Sequence, residues 1–421
     1  MRPTTHRSHR RPPLGALATA LLAITAGGAR ADEPSPYYIG ASQSITHDSN
    51  VDRTPVARGD TYYTTSLLGG FDQTISRQHL HGSATVGYSK YNSQDSLNNT
   101  SYSVAAGWDW ATIEQLSGSF NASAGQSLAT LYGNSTATTQ TCGTATTATC
   151  PRNLVKTDQV SASVNWGGAG RLGVFANAGH SRVRYSDAST QSLGGDSSGD
   201  TGSLGVNYNV GPEITTGVAA RVTRTHQANA PVFGPTGIIY QSQTTTGRNL
   251  DLTGSWRSTA QTNMNARLSW TRQTSDNGGN DFSGLTGSIG ASYAPTAKLA
   301  FNASYSRDAG TNGQYFNSIN LQAGTKTTYL SQNSTTSDSL GLGATYAATA
   351  KVSVSANAQY RRSSYDGNIG SDNYKLASLG ANWAATRYAS LGCNVSHESR
   401  SLQAASYSAN IVGCTATITL R

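Results

Sequence analysis

Eighteen segments of about ten residues each alternate apolar with polar side chains between Tyr37 and Leu420, and eight short turns join every second pair. A period of two gives a strand one apolar and one polar face. Met264, Ala266, Leu268 and Trp270 alternate with Asn263, Asn265, Arg267 and Ser269. Val352, Val354, Ala356 and Ala358 alternate in the same way with Ser353, Ser355, Asn357 and Gln359. Repetition on this scale predicts an all-β fold: a transmembrane antiparallel up-and-down barrel of eighteen strands, with short periplasmic turns and long extracellular loops. An even strand number brings both termini to one side of the membrane.

The first 31 residues read differently. Arg2, Arg7, Arg10 and Arg11 precede an apolar run from Leu14 to Ile24, and Ala29-Arg30-Ala31 has the small-x-small form of a cleavage site. The pattern predicts a signal peptide over residues 1–31 and a barrel over 32–421, exported to the outer membrane of a Gram-negative cell. The formal charge of +8 belongs largely to that leader. Without its five arginines, 25 basic residues face 22 acidic ones. They are scattered, which argues against a nucleic-acid partner.

Four cysteines in an exported chain predict two disulfides. Cys142 and Cys150 share one Thr-rich loop, and Cys393 and Cys414 flank the last hairpin. If the second pair face each other, Leu391 faces Ala416, Ala389 faces Ile418 and Val395 faces Val412, so one register serves both bridge and apolar face. Neither pair has the spacing or the histidine of a zinc site.

An aromatic residue stands just before each short turn: Phe71, Trp110, Trp166, Tyr208, Trp256, Tyr293, Tyr346 and Trp383. Recurrence at one depth predicts an aromatic belt at the periplasmic interface. Tyr88, Tyr185, Tyr305 and Tyr360 are the candidates for an outer belt. The polar phase of the strands is mostly Ser, Thr, Asn, Gln and Gly. Arg221, Arg257, Arg267, Lys351 and Arg361 add positive charge to the predicted pore lining, offset by Asp251 and Glu213. Such a wall offers weak, exchangeable hydrogen bonds to a hydrated solute. Three outer connections are expected to be long loops: Tyr132 to Arg152, Gln227 to Thr246 and Ala309 to Thr335. The first occupies the chain position of the constriction loop of general porins but carries no acid.

Thr46-His-Asp-Ser-Asn-Val-Asp-Arg53 resembles the "D-x-N-V-aromatic-R" opening of outer-membrane β-barrel porins found in exopolysaccharide biosynthesis and export loci, including the exosortase-associated EpsL-type proteins. Gly107-Trp-Asp-Trp-Ala-Thr112 suits the same family. Asp52 stands where that family has an aromatic, and the chain ends Thr419-Leu420-Arg421 without a terminal aromatic. The resemblance implies a channel linked to polysaccharide secretion, with periplasmic export components as partners. A barrel of this kind also meets outer-membrane lipid, lipopolysaccharide and the barrel assembly machinery. Alternatives are a general diffusion porin for small hydrophilic solutes and a non-conducting surface adhesin.

No catalytic set, cofactor or metal site is expected. His180, Arg182 and Arg184 share a strand face and read as a solvated cationic rim touching lipopolysaccharide phosphates rather than an anion site. His79 and His81 stand beside a short turn, away from the rim where barrel enzymes keep their chemistry. Asp48, Asn50 and Asp52 alternate acceptors but lack a full calcium loop, which favours a plain turn.

Overall fold

In a computed structural model the chain forms one closed ring of eighteen antiparallel strands. The structure describes residues 35–113, 115–129, 152–167, 171–186, 196–234, 237–276, 281–320, 325–365, 371–401 and 406–421, with backbone alone at 230–234, 237–240, 310–320, 325–335 and 365. The predicted leader and the Cys142–Cys150 pair lie outside the described residues.

The strands are β1 (Tyr37–Asp48), β2 (Asp60–Ile75), β3 (Gln78–Tyr91), β4 (Asn99–Ala111), β5 (Leu116–Leu128) and β6 (Leu154–Trp166). Then follow β7 (Leu172–Tyr185), β8 (Ser197–Asn209), β9 (Ile214–Gly234), β10 (Gly237–Thr259), β11 (Thr262–Ser275) and β12 (Phe282–Thr296). The last six are β13 (Leu299–Asn320), β14 (Thr325–Ala347), β15 (Val352–Tyr365), β16 (Ser371–Ala384), β17 (Ala389–Ser401) and β18 (Tyr407–Leu420). Each pairs with its sequence neighbour, and β1 pairs with β18 from Ile39↔Leu420 to Asp48↔Ile411, closing the ring. Within the ring, closure leaves no strand edge, the condition for a sheet to cross lipid.

The pairing register carries the alternation around the ring, because residues opposite each other across an antiparallel pair share a face. Leu67, Val104, Val164, Leu204, Leu252, Leu268 and Leu342 stand exposed on the outside. They form the wall that meets lipid tails. Among the described residues the polar phase faces the lumen, as in Ser103, Ser119, Ser163, Ser203, Ser288 and Asn357. A charge on the outer wall is costly. Leu268→Arg, near the middle of β11, is expected to destabilise the barrel by about 2–4 kcal/mol in a urea titration in lipid vesicles. An unchanged midpoint would mean that Leu268 does not face lipid.

All eight predicted belt residues take the outer face, seven of them well exposed and Trp110 tilted against Trp108 with ring centroids 6.4 Å apart. Tyr88, Tyr305 and Tyr360 stand outside near the other end, but Tyr185 does not join them. Its phase on β7 turns it to the inner face, where it is buried.

The last hairpin adopts the register expected from its cysteines. Cys393 pairs with Cys414, Leu391 with Ala416, Ala389 with Ile418 and Val395 with Val412, and a disulfide joins the two sulfurs on the outer face.

Two expected loops are strands instead. β9 and β10 stay paired up to Phe233↔Ile238 and Gly234↔Gly237, and β13 and β14 up to Asn320↔Thr325. The 23 residues of β14 span about 75 Å, whereas a tilted membrane crossing needs only about 9–11 residues. Beyond the lipid both faces of a strand meet water, so the alternation that marks a strand vanishes. Thr, Tyr, Phe and Ile still favour pairing there. The turn between β2 and β3 is tight: β2 runs on to Ile75, and Ser76 turns the chain with φ 58°.

Candidate functional site

The lumen gathers polar groups from every strand of the ring, and its wall is built from small polar side chains that bond across strands. Ser119 Oγ and Ser163 Oγ lie 2.8 Å apart, Thr271 and Thr286 2.8 Å, and Ser337 and Ser363 2.9 Å. Asn177 donates to Ser203 at 3.1 Å.

Several charges on this wall are paired. Arg221 grips Asp251 with two bonds, Nε to Oδ2 at 2.7 Å and Nη2 to Oδ1 at 3.1 Å. Arg267 Nη2 donates to Asp308 Oδ1 at 3.2 Å. Arg361 lies over the Tyr374 ring, 5.5 Å from its centroid. Arg257 follows the inward Ser255 by two and stands at the edge of the β10–β11 turn. Lys351 differs from the expectation. It occupies the β14–β15 turn and donates to the Ala385 carbonyl of the next turn at 3.3 Å, so it is not on the strand wall. Turns between strands take exposed Lys readily, whereas a lumen position requires the strand phase.

The deepest cluster was not expected. The connection from Ser49 to Gly59 bends inward against β1, β17 and β18. Asn50 is 1% exposed; its amide donates to Thr54 O at 2.8 Å and to Ser408 O at 3.1 Å. Asp48 accepts the Asn50 N–H at 2.8 Å through Oδ1 and pairs with Arg53 Nη1 at 2.7 Å through Oδ2. Arg53 also pairs with Glu398 of β17 and donates to the Asn50 carbonyl. Its backbone is left-handed, φ 53°, a strained conformation for a non-glycine residue that the surrounding bonds hold in place. Burial alone opposes the charge on Arg53, but Asp48 and Glu398 beside it raise its pKa above the usual arginine value. Asp48, Asn50 and Arg53 are therefore a latch. The acceptors of Asp48 and Asn50 are spent on the loop itself and do not converge on a calcium ion.

Asp52 is the unbalanced member. It is 2% exposed, neither carboxylate oxygen accepts a hydrogen bond, and Arg58 Nε lies 3.6 Å away. Burial raises its pKa, with Arg58 and Arg53 pulling the other way. The folded loop therefore holds this proton more tightly than the unfolded chain. Its contribution favours the loop most below the usual carboxylate range and is lost as pH rises through the raised value. Asp52→Asn is expected to remove that loss, slowing amide exchange over residues 49–59 at neutral pH. Identical pH profiles for the two proteins would contradict this.

A second buried pair lies on the same wall. Arg400 of β17 binds Asp372 of β16 through Nε at 3.0 and 2.9 Å and Nη2 at 2.6 Å, with both side chains under one-tenth exposed. Nothing in the local sequence flags it beyond two charges in the polar phase of neighbouring strands.

Other histidines are dispersed. His180 pairs with Asp200 at 2.7 Å on the outer face, beside Arg184, which holds Asp158 at 2.9 Å. His47, His226 and His397 each bond a neutral side chain of the next strand: Thr61, Thr244 and Asn410. His79 and His81 point into the lumen near the turn end, close to Asp72 and Asp109.

No curated protein matches the chain in sequence. Its fold is similar to the ferric enterobactin receptor PfeA of Pseudomonas aeruginosa in complex with enterobactin: 9% identity, 92% of this chain and 82% of that one, TM-score 0.48. It is also similar to the outer membrane channel DcaP of Acinetobacter baumannii: 12% identity, 91% of this chain and 96% of that one, TM-score 0.45. Residues 318–420 match a family model described as "Putative beta-barrel porin 2". The chain is thus a porin-like, eighteen-stranded outer-membrane β-barrel, similar to that porin family over its last strands.

Proposed function

We propose that this barrel is a passive channel through which a hydrophilic polymer, exopolysaccharide, leaves the cell across the outer membrane. The observation that carries the reading is a lumen wall that is mostly uncharged, with Arg361 set over the Tyr374 ring. The wall is hydroxyl and amide, and Arg221, Arg267, Arg400 and Arg53 are each paired to a carboxylate. Rings of like charge would select ions. Weak neutral hydrogen bonds, each readily exchanged with water, suit a sugar chain that must keep moving. The resemblance of the Thr46–Arg53 and Gly107–Thr112 segments to porins of exopolysaccharide loci supports the same choice of solute.

Orientation follows from the turns, with the short ones and both described ends of the ring in the periplasm. The opposite rim carries outward cations, among them Arg182, Arg224, Arg248, Arg272 and Arg307, which suit the phosphates of lipopolysaccharide.

The test is single-channel conductance of the purified protein in planar bilayers, with oligosaccharides of graded size as blockers. Size-dependent block of a weakly selective current is the expected result. Conductance indifferent to sugar would favour a general diffusion porin, and no conductance would favour a non-conducting surface barrel.

A further inference from the structure

The sequence places His79, Leu80 and His81 in succession on β3. Alternate residues of a strand share a face, so both imidazoles enter the lumen while Leu80 turns to lipid. Asp109 is opposite His79 on β4. Its Oδ2 lies 3.5 Å from His79 Nδ1 and 4.0 Å from His81 Nδ1, and one ligand atom from each of the three residues lies within 4.8 Å of the other two. The two rings stack with centroids 5.0 Å apart.

Two further observations point to a ligand. His81 Nδ1 is shielded from solvent and has no hydrogen-bond partner. On His79, Asp72 of β2 takes the other nitrogen, Nε2, at 2.9 Å. That is the outer-shell arrangement of metal-binding histidines, in which a carboxylate fixes the tautomer and leaves the inner nitrogen free to bind. Gly107 completes the cradle, because a β-carbon there would collide with the His81 ring. The Gly-Trp-Asp-Trp segment thus divides its work: Gly107 and Asp109 serve the lumen, Trp108 and Trp110 the outer face.

The geometry points to a divalent transition-metal site at the periplasmic mouth, with His79 Nδ1, His81 Nδ1 and Asp109 Oδ2 as ligands and Asp72 behind His79. Two imidazoles and a carboxylate suit Zn²⁺, Ni²⁺ or Cu²⁺ rather than Ca²⁺ or Mg²⁺. Tetrahedral bonds of about 2.0–2.1 Å put ligand atoms about 3.4 Å apart, so small side-chain rotations close the site. A bound ion would join β3 to β4. This site is independent of the solute that the channel carries.

The test is calorimetric titration of the purified, untagged protein with Zn²⁺, alongside Co²⁺ absorption as a report of coordination. Saturable binding of one ion per chain is expected. Asp109→Asn should weaken it at least tenfold, Asp72→Asn about 10–100-fold, and His79→Ala/His81→Ala should abolish it. Heat-shifted gel mobility shows whether each variant has folded. Should the double variant fail to fold, Asp109→Asn, which keeps the carboxylate's shape, decides. Zn²⁺ binding equal in the wild type and these variants, or none in the wild type, would overturn the site and leave an ordinary His–Asp ion pair.

Discussion

Arg53→Ala is expected to free the inward loop and widen the outer half of the lumen. The guanidinium sits between Asp48 and Glu398, and all three side chains are at most 12% exposed. Removing one partner of a buried ion pair costs about 3–5 kcal/mol, because the remaining charges are left in a poorly solvated place. Here two carboxylates would be stranded within one pocket. The molecule has a way to avoid the full cost, since the loop can swing out and let lumen water reach them. The penalty therefore falls on the loop before it falls on the barrel. Faster amide exchange at residues 49–59 should appear together with a larger and noisier single-channel current. Unchanged exchange and current would show that Arg53 does not hold the loop. Arg53→Lys should restore little, because a point charge cannot reproduce a fork that reaches Asp48, Glu398 and the Asn50 carbonyl together.

Arg400→Met should behave differently, with a loss of about 3–5 kcal/mol appearing as a lower unfolding midpoint of the whole barrel. Asp372 and Arg400 both belong to strands of the closed wall, so the cost of the stranded carboxylate falls on the barrel itself. The pair itself need not contribute much. Desolvating two charges costs nearly what their attraction returns, and the double change Arg400→Met/Asp372→Leu is expected to recover most of the lost stability. A double variant as unstable as the single one would mean that the charges also organise groups around them, with the Glu398–Tyr374 contact at 3.2 Å the first to inspect.

The contrast between these variants also explains what could be read from the sequence. Strand number, partner order and the register at Cys393 and Cys414 follow from a period of two, which lipid on one side and water on the other impose directly. The outward placement of the eight aromatic residues before the short turns follows from the same period of two. Where water lies on both sides, the signal fails, and the outer halves of β9, β10, β13 and β14 look like loop. The latch is illegible for another reason. Asp48, Asn50 and Arg53 are local, but Ser408 and Glu398 lie some 350 residues away, and only closure of β1 on β18 brings them together. His79 and His81 were visible, but Asp109 and the space above Gly107 needed the β3–β4 register. Tyr185 shows the limit of residue type as a guide, since the strand phase overrode its preference for an interface.

The bridge between β17 and β18 has a mechanical side. A load applied at Arg421 can unzip β18 from its neighbours only as far as Cys414, after which the covalent link passes the force to Cys393 and its strand. The intervening chain, a separation of 21 residues, is bypassed and stays slack. Extraction from the C-terminus should then proceed by hairpin, with the released length roughly 70 Å shorter than in the reduced protein. The final hairpin, the one that meets β1 at the seam of the ring, is thus tied against being peeled one strand at a time.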